Sequence, residues 1–457
     1  MMSNSSFIPP KTQRALVLQG GGALGAYEVG VLKVLYEKLI EGKEKGNKEG
    51  LLFDIVAGTS IGAMNAAVLI SNIVNKNKTW KEAVEELENF WTDKEGLSSD
   101  PDISKWWRNE GNDKNKVDAT EEALRKYYSV KEYLVHGTPH VCTPPDIRAA
   151  DNKFGDQKDN LWPHHSSDPL ENTIVKYSTG QDKDNKTMRI FTSWDKKQPR
   201  LLVVTVDVAR GTTVTFDSYH KEEDDPENTL YEGDGITINH IMASGTLPVF
   251  YDFRILEGHQ FCDGGLLSNT PFRELLQAHQ DYWLKVIGKR KDKIPELEVY
   301  IINDHPPRGK GTCIKDDDLD GTKDRINDIT YSDRNSHFDE NVANQATDYI
   351  EIINGMRNVA RRHFNNDKFD VFEQDFEHFL ETKEAKSKLH IQGSGKRTYK
   401  DVLNSTFNLK NVVRIENTSA YDDSISGKGA DFSSQTIKGL IEKGKDDASN
   451  VLTGLEK

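Results

Sequence analysis

The chain has 457 residues, of which 35% are hydrophobic and 29% charged, and its formal net charge is −14 at pH 7. At a usual size of about 150 residues per domain, this length predicts about three domains or one large elaborated domain. The 7 Trp, 15 Tyr and 18 Phe argue against a disordered chain, and the mean hydropathy of −0.69 predicts a core wrapped in long polar insertions. The negative charge makes nucleic acid a poor candidate partner and leaves only apolar or local contacts for a membrane surface.

The cysteines and the N-terminal residues bear on the compartment. Cys142, Cys262 and Cys313 are an odd number without CxxC spacing, so the sequence predicts neither a disulfide framework nor a zinc site, and the compartment is expected to be reducing. The first residues lack the apolar segment of a signal peptide, and the longest nearly apolar run, residues 61–70, is too short to span a bilayer. We therefore expect a soluble cytoplasmic protein.

The first elements in chain order form a repeated strand–turn–helix unit. An apolar run at residues 15–18 stops at three glycines, and apolar positions at helical spacing follow over residues 27–39. A second apolar strand at residues 51–57 enters a Gly-Thr-Ser-Ile-Gly turn, and a helix of small residues follows at 63–70. This repetition predicts an α/β fold with a parallel sheet and crossover helices.

The remaining chain divides by composition. Residues 92–200 are polar with little periodicity and are interpreted as an insertion, whereas a β-branched run at 201–208 has a plausible hairpin partner at 212–216. Beyond residue 304 the chain is charged and predominantly helical in pattern, with its clearest helix at 342–359. The predicted organisation is a polar leader at 1–13, one α/β domain at 14–305 that contains the insertion, and a helical C-terminal extension at 306–457.

The first candidate functional motif is the turn formed by Gly20, Gly21, Gly22, Ala23, Leu24 and Gly25. It satisfies GxGxxG, but a dinucleotide site also needs an acid at the tip of the second strand, and Asp54 lies inside that strand. Consecutive glycines at a helix N-terminus expose backbone N–H groups that can bind an anion or a developing oxyanion. An ordinary tight turn remains the alternative.

The second candidate motif is Gly58-Thr59-Ser60-Ile61-Gly62. An apolar strand before it and a helix of small residues after it are the context in which GxSxG presents a nucleophilic serine on a strained turn. Ser60 is therefore the candidate nucleophile, and an ordinary serine N-cap is the alternative.

A serine nucleophile needs a base, and two kinds of candidate are present. Asp263-Gly264-Gly265 follows a short strand and presents a carboxylate on a glycine turn, although such a turn is also common without a function. No histidine lies in a loop pattern that distinguishes it as a triad member, so each is interpreted as a surface or core residue. The downstream histidines are His220, His240, His259, His279 and His305.

Four sequence blocks together resemble the patatin-like phospholipase family. They are QGGGALGAYEVGVL, GTSIGAMNA, ASGTLPVFY at residues 243–251 and DGGLLSNTP at residues 263–271, and the closing DFSSQTIKGLIEKG is similar to the C-terminal helix of microbial members. The resemblance implies a three-layer αβα sandwich with a mainly parallel central sheet and a Ser–Asp dyad without histidine. The chain departs from the family at Leu24, where many members have Arg or Lys.

The resemblance assigns roles to particular residues. It implies Ser60 as nucleophile and Asp263 as its base, with no metal or organic cofactor. The implied oxyanion hole is the turn that contains Gly20, Gly21, Gly22, Ala23 and Gly25. The implied supporting glycines of the two catalytic motifs are Gly58, Gly62, Gly264 and Gly265.

These inferences predict a serine acyl hydrolase that acts on lipid or other acyl esters, with transient contact to a membrane or lipid aggregate. A non-catalytic lipid- or acyl-binding protein of the same fold is the alternative, in which Leu24 marks the loss of activity. The insertion at 92–200 is expected to form a mobile lid. Its apolar inner residues would be Trp106, Trp107, Tyr127, Tyr128 and Trp162.

One further pattern resembles half of a calcium loop, Asp316-x-Asp318-x-Asp320-Gly321. The twelfth position is Asn327, where a bidentate Glu is needed, and Lys323 takes a position that is normally apolar. We interpret this stretch as a solvated acidic loop.

Overall fold

A computed structural model describes most of the chain. The described residues are 9–41, 51–100, 119–145, 164–179, 188–219, 235–287, 293–307, 319–386, 397–418 and 427–455.

The centre of the molecule is an eight-stranded sheet, whose strands are β1 (Thr12–Leu18), β2 (Ile55–Thr59), β4 (Arg200–Asp207), β5 (Thr212–Asp217), β7 (Arg254–Leu256), β8 (His259–Asp263), β9 (Glu296–Asn303) and β10 (Leu409–Glu416). The strand order is β10-β9-β1-β2-β4-β8-β7, and β5 also pairs with β4. The pairs from β10 to β4 are parallel, and β5, β7 and β8 join by antiparallel pairing. A short separate ladder joins β3 (Arg189–Ile190) to β6 (Ile236–Thr237).

Both faces of the sheet are buried, which explains the continuous apolar runs of its central strands. Successive side chains of a strand point to opposite faces. Leu16 and Leu18 of β1 accordingly belong to one core cluster, whereas Ala15 and Val17 belong to another on the opposite face. The fold is therefore a three-layer αβα sandwich around a mainly parallel sheet, as the sequence predicted.

The larger core cluster lies between the sheet and one helical layer. Thr79 begins one of these helices with a capping box, because its hydroxyl accepts the Glu82 N–H and the Glu82 carboxylate accepts the Thr79 N–H. The helices of this layer are α1 (Ala26–Tyr36), α2 (Ile61–Val74), α3 (Trp80–Thr92), α5 (Asp168–Thr179), α6 (Ile238–Ser244) and α12 (Ser434–Leu455), and α4 (Ala119–Val135) adds Tyr133 to the cluster.

The second core cluster lies under α7 (Phe272–Ile287), which packs Phe272 and Leu275 on the opposite face of the sheet. The C-terminal region then adds α8 (Leu319–Tyr331), α9 (Ser336–His363), α10 (Asn366–Thr382) and α11 (Tyr399–Asn404).

The C-terminal region also contributes a strand to the sheet. The prediction of a helical extension at 306–457 did not include this strand. Strand β10 pairs in parallel with β9, and only its inward positions Leu409, Val413 and Ile415 are buried. Polar residues between them weaken the sequence pattern of this edge strand. The final helix, Ser434–Leu455, also extends beyond the closing DFSSQTIKGLIEKG block that is similar to the C-terminal helix of microbial members. Among the helices that the structure describes, none combines the length and the apolar character that a membrane-spanning helix needs.

Candidate active site

Ser60 lies on the turn between β2 and α2 in a strained backbone conformation. Its φ of 54° and ψ of −125° are costly for a residue with a side chain, of the order of 1–3 kcal/mol. The flanking glycines permit the turn, because a Cβ on Gly58 would lie 2.5 Å from the backbone of Gly62. A Cβ on Gly62 would lie 2.6 Å from the Leu18 carbonyl oxygen. The turn thus holds the Ser60 side chain at the carboxyl end of the parallel strands.

Asp263 ends β8 beside this turn and contacts the serine directly. Ser60 Oγ donates to Asp263 Oδ2 at 2.6 Å, and the Gly265 N–H donates to Asp263 Oδ1 at 2.7 Å. Burial raises the pKa of Asp263 to about 6, while these two hydrogen bonds oppose the rise. The carboxylate is therefore largely ionised at neutral pH and yet basic enough to accept a proton.

Further hydrogen bonds fix the backbone of the serine turn. The Ser60 N–H donates to Ser244 Oγ at 2.8 Å, and Ser244 Oγ in turn donates to the Val204 carbonyl at 2.6 Å. Thr59 Oγ1 donates to the Ser268 carbonyl at 2.9 Å. The serine turn, α6 and the segment after Asp263 are thereby connected.

The glycine-rich turn approaches Ser60 from β1. A Cβ on Gly20 would lie 2.9 Å from Ser60 Cβ, so glycine is required for this approach. The Gly20 N–H is already donated to the Asn269 carbonyl, and the Leu24 N–H to the Gly21 carbonyl. Within the described part of the chain, the N–H groups of Gly21, Gly22 and Ala23 show no protein acceptor.

Two positions of this turn serve packing. Gly25 is buried, and a Cβ there would lie 2.8 Å from the Ile61 side chain, so this glycine lets α1 approach the start of α2. Leu24 is 3% exposed and belongs to the core. The leucine therefore occupies an apolar environment.

Two buried acids lie behind the glycine turn. A Cβ on Gly21 would overlap the Asp304 carboxylate, and Glu28 Oε2 accepts from Asn65 Nδ2 at 2.7 Å. Burial raises the pKa of both carboxyl groups, and the charge of Asp304 raises the pKa of Glu28 further. Neither acid was among the residues predicted from the sequence.

The described histidines contact groups other than the serine and its aspartate. His279 Nε2 donates to the Pro295 carbonyl at 2.9 Å, and His259 Nδ1 lies 3.2 Å from Asp207. His240 accepts the Thr237 N–H, and His305 Nδ1 lies 3.6 Å from Asp328. Burial lowers the pKa of His240 to about 4 and that of His279 to about 3.

A polar cavity of about 360 Å³ lies behind the Asp263 turn, with Gly265, Asn269 and Arg273 in its wall. The guanidinium of Arg273 is already paired with Asp339 at 2.8 Å. Ser60 and Asp263 do not line this cavity.

Several residues singled out in the sequence lie outside the described residues. They are Trp106, Trp107, Trp162, His220, Cys313, Asp316 and Asp318. Tyr127 and Tyr128 lie on α4, where Tyr127 is 53% exposed and contacts Tyr128 edge to face. The lid therefore stays a prediction.

Sequence reasoning did not assign a role to Ser244 or Asn269. Both lie within quoted blocks, Ser244 in ASGTLPVFY and Asn269 in DGGLLSNTP, so the signal was present. Their contacts are with Ser60, Gly20 and Val204, which are distant in sequence and become neighbours only in the fold.

An αβα sandwich with a serine on a strained strand-to-helix turn is an architecture of the α/β acyl-hydrolase class. The family model of the patatin-like phospholipases matches residues 16–276, more than half of the chain, and the chain belongs to this family.

Individual relatives are distant. The chain is 22% identical over 307 residues to a cGAMP-activated phospholipase of Escherichia coli (strain TW11681), covering 66% of this chain and 64% of that relative. It thus spans less than two thirds of the relative's length. Among solved structures, VipD from Legionella pneumophila is similar over 97% of this chain and 67% of its own, with 16% identity and a TM-score of 0.34. Human GIVD cytosolic phospholipase A2 matches 64% of this chain and 40% of its own, with 11% identity and a TM-score of 0.28.

Proposed function

We propose that this protein is a serine acyl hydrolase that cleaves lipid or other carboxylic esters with Ser60 and Asp263. The observation that carries the proposal is the 2.6 Å hydrogen bond from Ser60 Oγ to Asp263 Oδ2 on a strained turn. Membership of the patatin-like phospholipase family supports a lipid substrate.

The proposed reaction begins when Asp263 accepts the Ser60 hydroxyl proton and Oγ attacks the ester carbonyl carbon. The N–H groups of Gly21 and Gly22 stabilise the oxyanion that forms on the carbonyl oxygen. The intermediate collapses with cleavage of the ester C–O bond, and protonated Asp263 returns its proton to the leaving alcohol. Water, deprotonated by the same carboxylate, then attacks the acyl-enzyme and releases the acid and Ser60.

Labelling with a fluorophosphonate tests the nucleophile. Ser60 Oγ forms the bond to phosphorus and fluoride leaves, so we expect stoichiometric modification of the peptide that contains Ser60. Ser60→Ala should abolish both labelling and ester hydrolysis with little change in melting temperature.

Ser268→Ala is the matched control. Ser268 lies near the site but donates to Glu274 Oε2 at 2.7 Å and is outside the dyad, so this variant should label normally. Modification of a serine other than Ser60 would exclude the proposed nucleophile, and an unlabelled wild-type protein would favour the non-catalytic alternative.

A further inference from the structure

The glycine-rich turn is covered by a segment from the far end of the chain. Lys428–Ala430 forms a single 3₁₀ turn. Gly22 has a φ of +59°, and a Cβ there would overlap the Gly429 carbonyl oxygen. A Cβ on Gly429 would lie 2.9 Å from the Gly21 carbonyl oxygen. Two backbones therefore touch at a place with no room for a side chain on either.

Lys428 connects this covering turn to α8 through two ion pairs. Its Nζ lies 3.0 Å from Asp324 Oδ2 and 2.8 Å from Asp328 Oδ1, two carboxylates one helical turn apart. The lysine side chain is 17% exposed, and the aspartates are 10% and 5% exposed. Removal of the lysine would leave two nearly buried carboxylates facing each other without the cation that they share, with His305 beside Asp328.

The end of α8 holds the other side of the same glycine turn. The Tyr331 carbonyl accepts from Asn269 Nδ2 at 2.6 Å and from Gln19 Nε2 at 3.3 Å. Asn269 Nδ2 also donates to the Gly20 carbonyl at 2.7 Å. Gln19 and Gly20 begin the turn, so α8 connects its first residues to the segment that covers Gly21 and Gly22.

From this connection we propose that Lys428 is a positioning residue for the oxyanion-binding turn. By fixing Lys428–Ala430 to α8, it holds the Gly429 backbone against Gly21 and Gly22 and so maintains the direction of their N–H groups. The inference rests on the proposed function, in which these groups stabilise the transition state. Helix α8 and Lys428 both lie beyond residue 276, where the family match ends.

Steady-state kinetics on a soluble ester test the proposal. A donor that acts mainly in the transition state affects kcat more than KM, and a displacement of about 1 Å in an active site can cost about 100-fold in rate. Lys428→Met should therefore lower kcat by about 10- to 100-fold with little change in KM. Lys428→Arg, which keeps the charge, should restore most of the loss.

Lys400 offers a matched control because it also bridges two carboxylates one turn apart. Its Nζ lies 3.2 Å from Glu377 and pairs with Glu381, both on α10. Lys400→Met should leave kcat unchanged. An equal loss in both lysine variants, or a normal kcat in folded Lys428→Met, would overturn the proposal.

A second pair of variants tests the contact if Lys428→Met does not fold. Gly429→Ala places one methyl group against the Gly21 carbonyl and should lower kcat, whereas Gly439→Ala on α12 meets open space and should not. A normal kcat in Gly429→Ala would also overturn the proposal. End-point phosphonylation at Ser60 in the wild-type protein separates this outcome from failure of the dyad, which would leave every variant and the wild type unlabelled.

Discussion

Asp263 is buried and accepts a hydrogen bond from a serine hydroxyl. Its side chain is 3% exposed, and its hydrogen-bond partners are the hydroxyl of Ser60 and the N–H of Gly265. Both bonds favour the charged carboxylate, but burial dominates and raises its pKa to about 6. The group is thus held in a state where proton transfer is possible at neutral pH.

The raised pKa predicts the pH dependence of hydrolysis. The base must be ionised, so kcat/KM should increase about tenfold per pH unit below the pKa of about 6 and become level above it. Asp263→Asn should lower kcat by several orders of magnitude, since an amide cannot accept the proton. A pH–rate profile and the kcat of this variant are the measurements.

Two controls assign that inflection. Burial also raises the pKa of Asp304 to about 6, so Asp304→Asn should retain the inflection if Asp263 causes it. His259→Ala should keep activity, and a loss equal to that of Asp263→Asn would indicate a conventional triad.

The stability of the protein gives an independent measure of the Asp263 pKa. Because the pKa of Asp263 is raised in the folded state, its contribution to the free energy of unfolding declines as pH rises from about 4 to about 6. Asp263→Asn should consequently raise the melting temperature more at pH 8 than at pH 4.

The residues of the predicted dyad could be recognised from sequence because each lies in a short local pattern. Ser60 needs only GTSIG between a strand and a helix, and Asp263 needs only the following glycines. Lys428 and Asp304 have no such pattern. Their proximity to the glycine turn depends on the packing of segments about 280 to 400 residues away in sequence, which no local signal reports.

At the scale of the elements, α1 and α12 approach each other closely at two glycines. A Cβ on Gly30 would overlap the Ile441 carbonyl oxygen, and a Cβ on Gly444 would overlap the Tyr27 carbonyl oxygen. Tyr27 also donates to Asp447 Oδ2 at 3.1 Å across the same interface. The two helices therefore pack backbone to backbone at these glycines.

This close packing predicts that a single methyl group will separate the helices. Gly30→Ala and Gly444→Ala should each lower the free energy of unfolding by about 1–3 kcal/mol, the usual cost of overpacking. Chemical denaturation monitored by circular dichroism measures the change.

Gly439 provides the control on the same helix, because a Cβ there meets nothing within 4 Å. Gly439→Ala should stabilise α12 slightly, by about 0.5–1 kcal/mol, since alanine has the higher helix propensity. Equal destabilisation at all three positions would contradict a specific helix contact. The closing sequence block indicated this helix, but the packing role of its glycines could not be predicted, because that role depends on the partner helix α1.

At the scale of the whole molecule, the net charge and the exposed apolar side chains together determine which kind of lipid surface the protein would bind. The net charge of −14 disfavours anionic membranes. Exposed apolar side chains lie on the segments that flank Asp263: Val249 is 87% exposed, Ile255 67% and Leu267 47%. The Thr246 carbonyl accepts the Asp263 N–H at 2.9 Å, which places the Val249 loop beside the site.

We therefore expect apolar contact with aggregated substrate. Val249→Asp and Ile255→Asp should each lower hydrolysis of zwitterionic lipid vesicles by about tenfold, the effect of about 1.4 kcal/mol of lost binding. Hydrolysis of a soluble ester should be unchanged. Val371→Asp, at an exposed position on α10, is the control, and an equal loss there, or equal losses on soluble ester, would exclude a specific contact surface.

The parallel pairing of β1 with both β2 and β9 has a consequence for biosynthesis. Strand β2 ends at Thr59, whereas β9 ends at Asn303, so one edge of β1 acquires its neighbour about 240 residues after the other. At ribosomal rates of about 5–20 residues per second, the nascent chain exposes that apolar, unpaired strand edge for about 12–50 seconds. Protection from aggregation during translation is therefore most needed by the segment that carries both the glycine turn and Ser60.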